Sequence, residues 1–330
     1  MTAGSRSMSA GPKQIDGPAN QFDADTLALL RCPVTGDRLA LSEDGTRLVG
    51  SQHSYDLSEE GIPLFAAEFC SDDAKAQSDH YDKVADQYIE NLSYPHTIEY
   101  MSFLDDVFFA SLQDGELGTV AEICCGRGEA FELLKHRLSR GVGVDVSVNM
   151  LRAALDEHRE PHLQFLQGDA TMLPLAGASF DNVVMLGGIH HVRDRQALFN
   201  EVFRILKPGG RFYFREPVSD LFLWRLLRDI IYRLSPALDY ETERPLLHSE
   251  TVPPLEKAGL SCEYWKTHGA LGFMLFMNSD VLVFNRLFRF LPGIRTLTRA
   301  FTRLDEAILR LPGLAGAGLQ VVGVARKPEA

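Results

Sequence analysis

The chain has few cysteines, no excess of basic residues and no long apolar run. Its five cysteines are an odd number, so they give no disulfide framework of the kind that small secreted proteins use. A net charge of −12 argues against nucleic acid as the main partner, because phosphate binding needs a basic face. No apolar run reaches the roughly 18 residues of a membrane-spanning helix, and the N-terminus lacks the apolar core of a signal peptide. These absences favour a cytoplasmic protein.

What is present is enough for one large domain and one small one. The 330 residues are 45% hydrophobic and 24% charged, which are ordinary values for a globular protein. Residues 1–21 are rich in Gly, Ser, Pro and Ala and predict a disordered tail. Short alternating runs separated by turns predict a small β-rich module over 22–69. An α/β domain is expected over 74–330, with cap insertions at about 218–250 and 271–318.

A nucleoside-binding unit is indicated by the stretch VAEICCGRGEAFELLKHRLSRGVGVD, from Val120 to Asp145. It predicts an apolar strand, a glycine turn, a helix over roughly Glu129 to Leu138, and a second apolar strand. Gly126 and Gly128 leave room for a ligand against bare backbone, and the helix would point its free N–H groups at that ligand. Asp145 would end the second strand, where an acid can hold two ribose hydroxyls.

Two cofactors compete for this unit. A dinucleotide site needs G-x-G-x-x-G, but Phe131 stands where the third glycine belongs. S-adenosylmethionine has no pyrophosphate and does not need that close approach. Its ammonium and sulfonium groups favour acids near the loop, and Glu122 supplies one just before the turn. The residues therefore favour S-adenosylmethionine.

Two downstream segments extend this pattern. They are GDATMLPLAGASFDNVVMLGGIHHV (Gly168 to Val192) and LFNEVFRILKPGGRFYFREP (Leu198 to Pro217). With them, the chain resembles a class I S-adenosylmethionine-dependent methyltransferase of the small-molecule type over roughly Ala74 to Lys327. The resemblance implies a Rossmann-like α/β fold, in which helices cover both faces of a seven-stranded sheet. It also implies S-adenosylmethionine as the cofactor.

The family's first motif reads acid-x-Gly-x-Gly-x-Gly. The corresponding residues here are Glu122, Cys124, Gly126 and Gly128. Cys124 departs from the first glycine and indicates a slightly different turn, but a small apolar residue is compatible with binding.

The same resemblance assigns further cofactor contacts. Asp145 would bind the ribose, while Asp169 would meet the exocyclic amine of the adenine and Ala170 the ring through its backbone. Leu186 and Gly187 would end the fourth strand beside the methionine part. An alternative for Asp169 is that it simply caps a turn, since Asp favours such positions.

Two aromatic residues are further candidates, since in the resembled family a helix lies over the cofactor. Tyr81 and Tyr88 would then line the methyl-donor pocket. Core packing is the alternative for both, because aromatics at helical spacing are often core residues.

A general base is needed if the acceptor atom carries a proton. The candidates are His190, His191, Glu216, His248 and His268. His190 and His191 follow the fourth strand near the expected methyl group, although such a pair is often structural in the resembled family. Glu216 ends the fifth strand and would face the pocket, or else form an ion pair with Arg215 or Arg211.

The small module resembles the Trm112-like zinc ribbon that precedes some methyltransferase domains. Family members often hold zinc with two Cys-x-x-Cys pairs. Here Cys32 is present, Thr35 replaces its partner, and the second pair is missing around residues 51–54. Because structural zinc needs four ligands, we expect the module to keep the fold without a metal.

The two insertions predict apolar cover for a pocket. A helix after strand five would place Phe222, Trp224, Leu227, Ile231 and Leu234 as a roof. The 271–318 insert is apolar, helical and broken near Pro292 and Pro312. It carries six arginines against two aspartates and one glutamate, a net charge of +3, so the rest of the chain carries −15. It would contact a membrane surface peripherally, cover an apolar substrate, dimerise, or form a packed helical cap.

Three function classes fit these residues. The first is a methyltransferase acting on a small, apolar acceptor that is lipid-, quinone- or polyketide-like. The second is a protein that keeps the fold and binds S-adenosylmethionine but performs another reaction, such as a cyclisation, or a regulatory task. The third is an NAD(P)-dependent oxidoreductase, which Gly126, Gly128 and Asp145 favour. The missing third glycine and the Asp169-Ala170 pair disfavour that class.

Overall fold

The computed structural model of the chain describes residues 22–67, 69–78, 90–234, 244–277 and 283–329. The expected tail, 1–21, lies outside the described residues, and so do Tyr81 and Tyr88. Among the helices that are described, none is both long and apolar enough to cross a membrane.

A seven-stranded sheet forms the centre of the molecule. Its strands are β4 (Gly118–Ile123), β5 (Leu138–Asp145), β6 (Leu163–Gln167), β7 (Phe180–Leu186), β8 (Leu206–Pro217), β9 (Ser261–His268) and β10 (Gln320–Arg326). They lie in the order β6-β5-β4-β7-β8-β10-β9. The first five are parallel, and β10 is antiparallel to both of its neighbours. The expected Rossmann-like α/β sheet is confirmed.

Helices cover both faces of this sheet. They are α1 (Ala24–Leu29), α2 (72–78), α3 (Pro95–Phe109), α4 (Glu129–Leu134), α5 (Val148–Glu157), α6 (Arg195–Ile205), α7 (Phe222–Leu234), α8 (His248–Lys257), α9 (Leu271–Phe276) and α10 (Ile294–Leu309). Two large apolar clusters result. One contains Phe199 and Phe212 from α6 and β8, and the other contains Phe131 and Phe165 from α4 and β6. All four side chains are fully buried, as expected for a sheet covered on both sides.

The helix after the glycine turn is shorter than the sequence predicts. It ends at Leu134 instead of Leu138, and Leu138 already begins β5 by pairing with Gly118. The turn between them is held by Arg137, whose backbone N–H donates to the Leu134 carbonyl at 2.7 Å and whose Nε donates to the Gly115 carbonyl at 2.9 Å. Strand pairing at this point overrides the helical propensity of the sequence.

The N-terminal module contains α1 and a three-stranded antiparallel sheet, β1 (Ala40–Leu41), β2 (Arg47–Val49) and β3 (Ser54–Asp56). Its last residues extend the large sheet at β6. The Gln167 N–H donates to the Pro63 carbonyl at 2.9 Å, and the Phe65 N–H donates to the Gln167 carbonyl at 3.2 Å. Buried residues of the module, including Leu48, belong to the same cluster as the α6 side of the sheet. The module therefore covers the β6 edge.

Hydrogen bonds occupy the place where the resemblance would put zinc ligands. The Cys32 Sγ lies 3.0 Å from the Tyr55 hydroxyl, and the Thr35 hydroxyl donates to Asp37 Oδ2 at 2.9 Å. Ser51 also donates to Asp37. Within the described ranges, no group of three or more His, Cys, Asp and Glu side chains is placed to hold a metal. The absence of zinc from the protein stays a prediction.

The insert is helical, as predicted, and packs on α3. It contains α9, a 3₁₀ helix over Val283–Phe290, and α10, with breaks next to Pro292 and Pro312. A separate apolar cluster joins it to α3 through Tyr100, Leu104, Phe276 and Ile294. Within this cluster the Tyr100 hydroxyl donates to Asp305 Oδ2 at 2.7 Å.

The predicted roof helix is present as α7, but none of the side chains described on it is among the residues that line the cleft at the carboxyl ends of the parallel strands. Phe222 at its start is exposed, and Trp224 Nε1 donates to the Ala317 carbonyl at 2.6 Å. The side chains of Ile231 and Leu234 lie outside the described residues. The contact of Trp224 joins α7 to the segment that leads into β10.

Candidate functional site

An open cleft lies at the carboxyl ends of β4, β5, β6 and β7, and its empty space of about 830 Å³ includes part of the solvent at its mouth. It is lined by Ser71, Asp73, Ala74, Gln77, Cys124, Gly126, Glu129, Val144, Asp145, Val146, Met150, Gly168, Asp169, Ala170, Thr171, Leu186, Gly187, His191 and Val192. This is the edge at which open α/β sheets bind ligands. Eight of the residues that the sequence assigns to the cofactor or to catalysis meet in this lining: Cys124, Gly126, Asp145, Asp169, Ala170, Leu186, Gly187 and His191.

The glycine turn after β4 is built from left-handed backbone. Cys124, Gly126 and Gly128 have φ of +51°, +52° and +81°. Cys124 therefore adopts the conformation of the glycine that it replaces, although a side chain makes that conformation costly by about 1–2 kcal/mol. An ideal Cβ on Gly188 would lie 2.6 Å from the Cys124 Cβ, so the missing side chain at Gly188 makes room for this cysteine.

Asp145 is fixed over this turn by main-chain donors. Its Oδ2 accepts from the Gly126 N–H at 2.8 Å, and its Oδ1 accepts from the Ser147 N–H at 2.9 Å. Ser147 also caps α5 through its own hydroxyl. The carboxylate is thus oriented by the two loops that end β4 and β5.

Two acids flank the glycine turn, and they have different surroundings. Glu122 is buried beneath the turn, where its Oε1 accepts from the Ala130 N–H at 2.9 Å, and it is not among the lining residues. Burial raises the pKa of Glu122 well above its ordinary value. Glu129 does line the cleft, and an ideal Cβ on Gly126 would lie 3.5 Å from its Oε2.

Glu129 was therefore missed by the sequence reasoning, which placed the loop acid at Glu122. Burial raises the pKa of Glu129 to about 7, an effect that the charges of Arg127 and Arg215 oppose. The signal that would have identified it is its position directly after Gly128, at the start of the helix. Gly128 itself lies behind the turn, where an added Cβ would meet the His158 ring at 2.8 Å.

Asp169 joins the cleft to the segment that follows the N-terminal module. Its Oδ2 accepts from the Ser71 N–H at 2.8 Å, and its Oδ1 accepts from the Thr171 N–H at 2.8 Å and from the Thr171 hydroxyl at 2.7 Å. Burial acts to raise the pKa of Asp169, but these hydrogen bonds outweigh it and lower the pKa. Asp169 therefore caps a turn and lines the cleft, so both readings of the sequence describe part of its surroundings.

Glu216 and His190 form a buried pair beside the cleft, and neither is among its lining residues. Glu216 Oε1 accepts from the N–H groups of Gly188 and Ile189 at 2.7 and 2.8 Å. Its Oε2 lies 2.8 Å from His190 Nδ1. The expectation that Glu216 faces the pocket or pairs with an arginine is therefore wrong, because these donors hold its carboxylate inward.

The pair positions the histidine that does line the cleft. Burial lowers the pKa of His190 to about 3, with a further contribution from the charges of Arg195 and Arg244, so its imidazole is neutral. Burial raises the pKa of Glu216 to about 7, against the effect of its backbone donors. The ring centroids of His190 and His191 are 3.8 Å apart. The His191 ring thus packs against the neutral His190 ring, and the buried Glu216 carboxyl group holds the His190 ring in place.

Polar contacts also tie α2 to the histidine turn. The Gln77 Nε2 donates to the His191 carbonyl at 3.4 Å, and Arg244 Nη2 donates to the same carbonyl at 3.0 Å. Arg244 also pairs with Asp73 Oδ1 at 3.2 Å. Because Asp73 and Gln77 line the cleft, α2 forms one of its walls.

The two other candidate histidines lie elsewhere. His268 Nδ1 is 2.9 Å from Glu306 Oε1, and the His248 ring packs edge-on against Trp265 at 5.0 Å. Neither is among the residues that line the cleft.

Comparison with known proteins agrees with this geometry. Residues 121–214 match the family model described as a methyltransferase domain. A demethylmenaquinone methyltransferase of Lactococcus lactis is 38% identical over 99 residues, which cover 28% of this chain and 39% of that protein. The chain spans less than two thirds of the length of the curated relatives that it matches.

Solved structures share the fold at low identity. A complex between the Haloferax volcanii Trm112 methyltransferase activator and a putative methyltransferase aligns with a TM-score of 0.52 and 22% identity, covering 77% of this chain and 98% of that chain. The [4+2]-cyclase SpnF aligns with a TM-score of 0.54 and 18% identity, covering 78% and 97%.

The cleft fits S-adenosylmethionine. Gly187, with φ of +75°, has no atom within 4 Å of an ideal Cβ, so a side chain there would project into the space that the cleft provides. Asp145 stands oriented at the end of β5, and Phe131 still replaces the glycine that a dinucleotide site needs. Together with the sheet order and the family match, these features show that the chain carries a class I S-adenosylmethionine-dependent methyltransferase domain.

Proposed function

We propose that this protein transfers a methyl group from S-adenosylmethionine to a small, apolar acceptor that is lipid-, quinone- or polyketide-like. The observation that carries the proposal is the cleft at the strand ends, which has oriented carboxylates on one side and His191 on another. The demethylmenaquinone methyltransferase among the relatives acts, by its name, on a quinone, and this supports an apolar acceptor.

Asp145 and Asp169 are proposed to hold the ribose and the adenine of S-adenosylmethionine. Asp145 would accept hydrogen bonds from the ribose hydroxyls, and the main-chain donors that orient it reduce the cost of ordering it. Asp169 would meet the exocyclic amine, and Ala170 the adenine through its backbone. Because Asp169 also binds the Ser71 N–H, the adenine end of the cleft would be coupled to α2.

Leu186, Gly187 and Glu129 are proposed to surround the methionine part. Leu186 and Gly187 end β7 beside the glycine turn and leave open space. Glu129 lies over the turn, and we assign to it the attraction for the ammonium group that the sequence suggested for Glu122. Cys124 and Gly126 would supply the backbone floor, while Glu122 and Gly128 support this floor from behind.

The cofactor supplies an activated methyl group on a sulfonium, so the protein has little chemistry of its own to provide. Its residues must hold the acceptor in line and exclude water. His191 would remove a proton from an oxygen or carbon acceptor, and its position in the lining of the cleft after β7 supports this role. His190 and Glu216 are proposed to position His191, with Glu216 holding the turn through its backbone donors.

Calorimetric titration with S-adenosylmethionine and with NADH tests the cofactor assignment. We expect the first to bind and the second to give no heat of binding. Mass spectrometry of the small molecules that copurify with the protein, followed by turnover assays with quinol and polyphenol acceptors, would test the acceptor class. Binding of NADH without S-adenosylmethionine would overturn the proposal.

A second candidate is a protein that binds the same cofactor and performs another reaction. The likeness to the [4+2]-cyclase SpnF favours it at the level of the fold. Formation of S-adenosylhomocysteine separates the two functions, because methyl transfer produces it and a cyclisation does not. His191→Gln should reduce turnover most toward high pH, where the wild-type imidazole is neutral, if His191 acts as a base. A positioning role would leave the pH profile unchanged.

A further inference from the structure

The helix α10 exposes an apolar stripe on the side that faces away from α3. Leu297 and Leu304 lie seven residues apart on α10, which places them on one side of the helix, and Leu311 follows two residues after its last residue, Leu309. Their exposed fractions are 46%, 46% and 54%. Ala300 lies between Leu297 and Leu304 and is also exposed, whereas Ala307 lines the groove between α10 and α3. The apolar stripe therefore covers about two turns of α10 and continues past its end at Leu311.

The 3₁₀ helix before α10 continues this apolar exposure. Leu287, Phe290 and Leu291 are 63%, 70% and 47% exposed. We call these three residues, together with Leu297, Leu304 and Leu311, the 287–311 surface. Single exposed leucines are ordinary in a folded protein, but six large apolar side chains within 25 residues indicate a contact surface.

The opposite side of α10 is already occupied. Ile294, Thr298, Thr302 and Leu309 are buried, and the buried Asp305 carboxylate accepts from the Gly272 and Phe273 N–H groups and from Tyr100. These contacts fix which side of the helix faces outward. About half of the surface of each of these leucines is left uncovered by the rest of the chain.

Arginines flank the stripe. Arg295, Arg299, Arg303 and Arg310 are all exposed along α10. Arg299 pairs with Glu99 of α3, whereas Arg295, Arg303 and Arg310 form no salt bridge within the part of the chain that is described. The +3 charge of the insert contrasts with the −15 of the rest, so the basic groups are concentrated where the apolar side chains are exposed.

The combination of exposed leucines and exposed arginines distinguishes between two partners for the 287–311 surface. A second copy of the chain that docked stripe to stripe would bring the arginines of both copies together, and like charges across an interface are unfavourable. An anionic bilayer offers the opposite charge at the depth of the arginines and an apolar layer at the depth of the leucines. The acidic remainder of the protein would be repelled and would face the water.

We propose that the 287–311 surface docks on an anionic phospholipid bilayer, with α10 lying in the plane of the interface. The reason for docking rests on the proposed function, because docking would give the protein access to an acceptor that partitions into the bilayer. The contact itself depends on the leucines and arginines and does not depend on methyl transfer.

Vesicle flotation with the full chain tests the proposal. The vesicles are phosphatidylcholine alone and phosphatidylcholine with phosphatidylglycerol. Binding should require the anionic lipid and fall as salt is added, because exposed charges are screened. Neutralising Arg295, Arg303 and Arg310 to Gln should weaken partitioning by about 100-fold at low salt. The triple change of Leu297, Leu304 and Leu311 to Ser should weaken it by at least about tenfold.

Matched variants elsewhere on the molecule provide the control. Leu41→Ser with Val49→Ser removes two exposed aliphatic side chains from the N-terminal module, and Arg159→Gln removes an exposed charge from the end of α5. Neither should change partitioning. Sedimentation velocity of the wild type and of the serine variant tests the alternative, since a dimer that the serine changes dissociate would assign the surface to self-association.

Two further results separate this proposal from the proposed function. S-adenosylmethionine binding by calorimetry should be unchanged in the arginine and leucine variants, which also shows that they fold. If the wild type binds S-adenosylmethionine but ignores anionic vesicles, the docking surface is wrong and the function stands. If it binds vesicles through these residues but does not bind S-adenosylmethionine, the docking surface stands and the function fails.

Discussion

The cofactor cleft and the helical insert lie at different parts of one sheet and are held together in different ways. In the cleft, main-chain N–H groups orient the acids, as Gly126 and Ser147 do for Asp145. In the insert, a buried carboxylate, Asp305, collects donors from α3 and α9, and aromatic side chains fill the space around it. Backbone geometry therefore defines the cleft, whereas the insert depends on a few side chains.

The largest effect is expected at Asp305. Asp305→Ala leaves the Tyr100 hydroxyl and two backbone N–H groups without their acceptor in a buried place, which should cost roughly 3–5 kcal/mol of unfolding free energy. Urea denaturation followed by fluorescence measures it. Glu99→Ala breaks an exposed ion pair between Glu99 of α3 and Arg299 of α10, and it should cost no more than about 1 kcal/mol of unfolding free energy. Equal losses for both variants would show that the buried carboxylate is not what holds the insert.

The second largest effect is expected for Asp145→Ala, and it should appear in the affinity for S-adenosylmethionine. Loss of charge-assisted hydrogen bonds to the ribose should weaken S-adenosylmethionine affinity by roughly 1.5–3 kcal/mol. Titration calorimetry gives the dissociation constant, and Asp156→Ala, an exposed acid on α5, is the control. A folded Asp145→Ala protein with wild-type affinity would remove Asp145 from the site.

Glu129 should make cofactor binding depend on pH. Its pKa of about 7 lies above the ordinary value, so the folded protein binds more protons than the unfolded chain between the two values, and this contribution to stability is lost as the pH rises toward 7. An ammonium group next to Glu129 would lower that pKa, so binding near pH 7 should release about half a proton and binding about one pH unit lower should release most of one. Calorimetry in buffers of different ionisation enthalpy counts it.

Glu129→Gln provides the contrast for this measurement. The variant has no proton to release from this side chain, so the buffer dependence of the binding enthalpy should fall while the fold is retained. Unchanged proton release in Glu129→Gln would show that the ammonium group lies elsewhere.

The smallest effect is expected for Cys124→Gly. Relief of the left-handed strain at a φ of +51° is worth about 1–2 kcal/mol, and the added freedom of a glycine in the unfolded chain costs about 0.5–1 kcal/mol, so the net change in stability should stay below about 1 kcal/mol. Thermal unfolding and cofactor titration measure both quantities. A large loss of affinity would mean that the cysteine side chain itself contacts the ligand.

The contrast between backbone geometry and side-chain contacts also explains which features the sequence could predict. Gly126, Gly128 and Asp145 occupy positions where backbone conformation or strand ends limit the choice of residue, and such limits leave a pattern of spacing. The seven-stranded sheet follows from this pattern and from the resemblance. Cys124 adopting the glycine conformation shows that the turn tolerates one departure without a change in its geometry.

The direction in which a side chain points leaves no comparable pattern of spacing in the sequence. Glu122 and Glu129 both adjoin the turn, and only the packing of α4 decides that Glu129 faces the cleft. Glu216 ends its strand as expected, but donors from the turn after β7 hold it inward. These outcomes depend on contacts between residues that are distant in the sequence, and no local spacing records them.

The cover of β6 by the N-terminal module has a consequence for aggregation. A parallel sheet ends here in a five-residue strand whose side chains are all buried, and an open edge of that kind is a template for pairing with other chains. The backbone of residues 63–65 occupies that edge through Gln167. The N-terminal module thus protects this edge from pairing with the strands of other chains, and we expect that its removal would first cause loss of solubility.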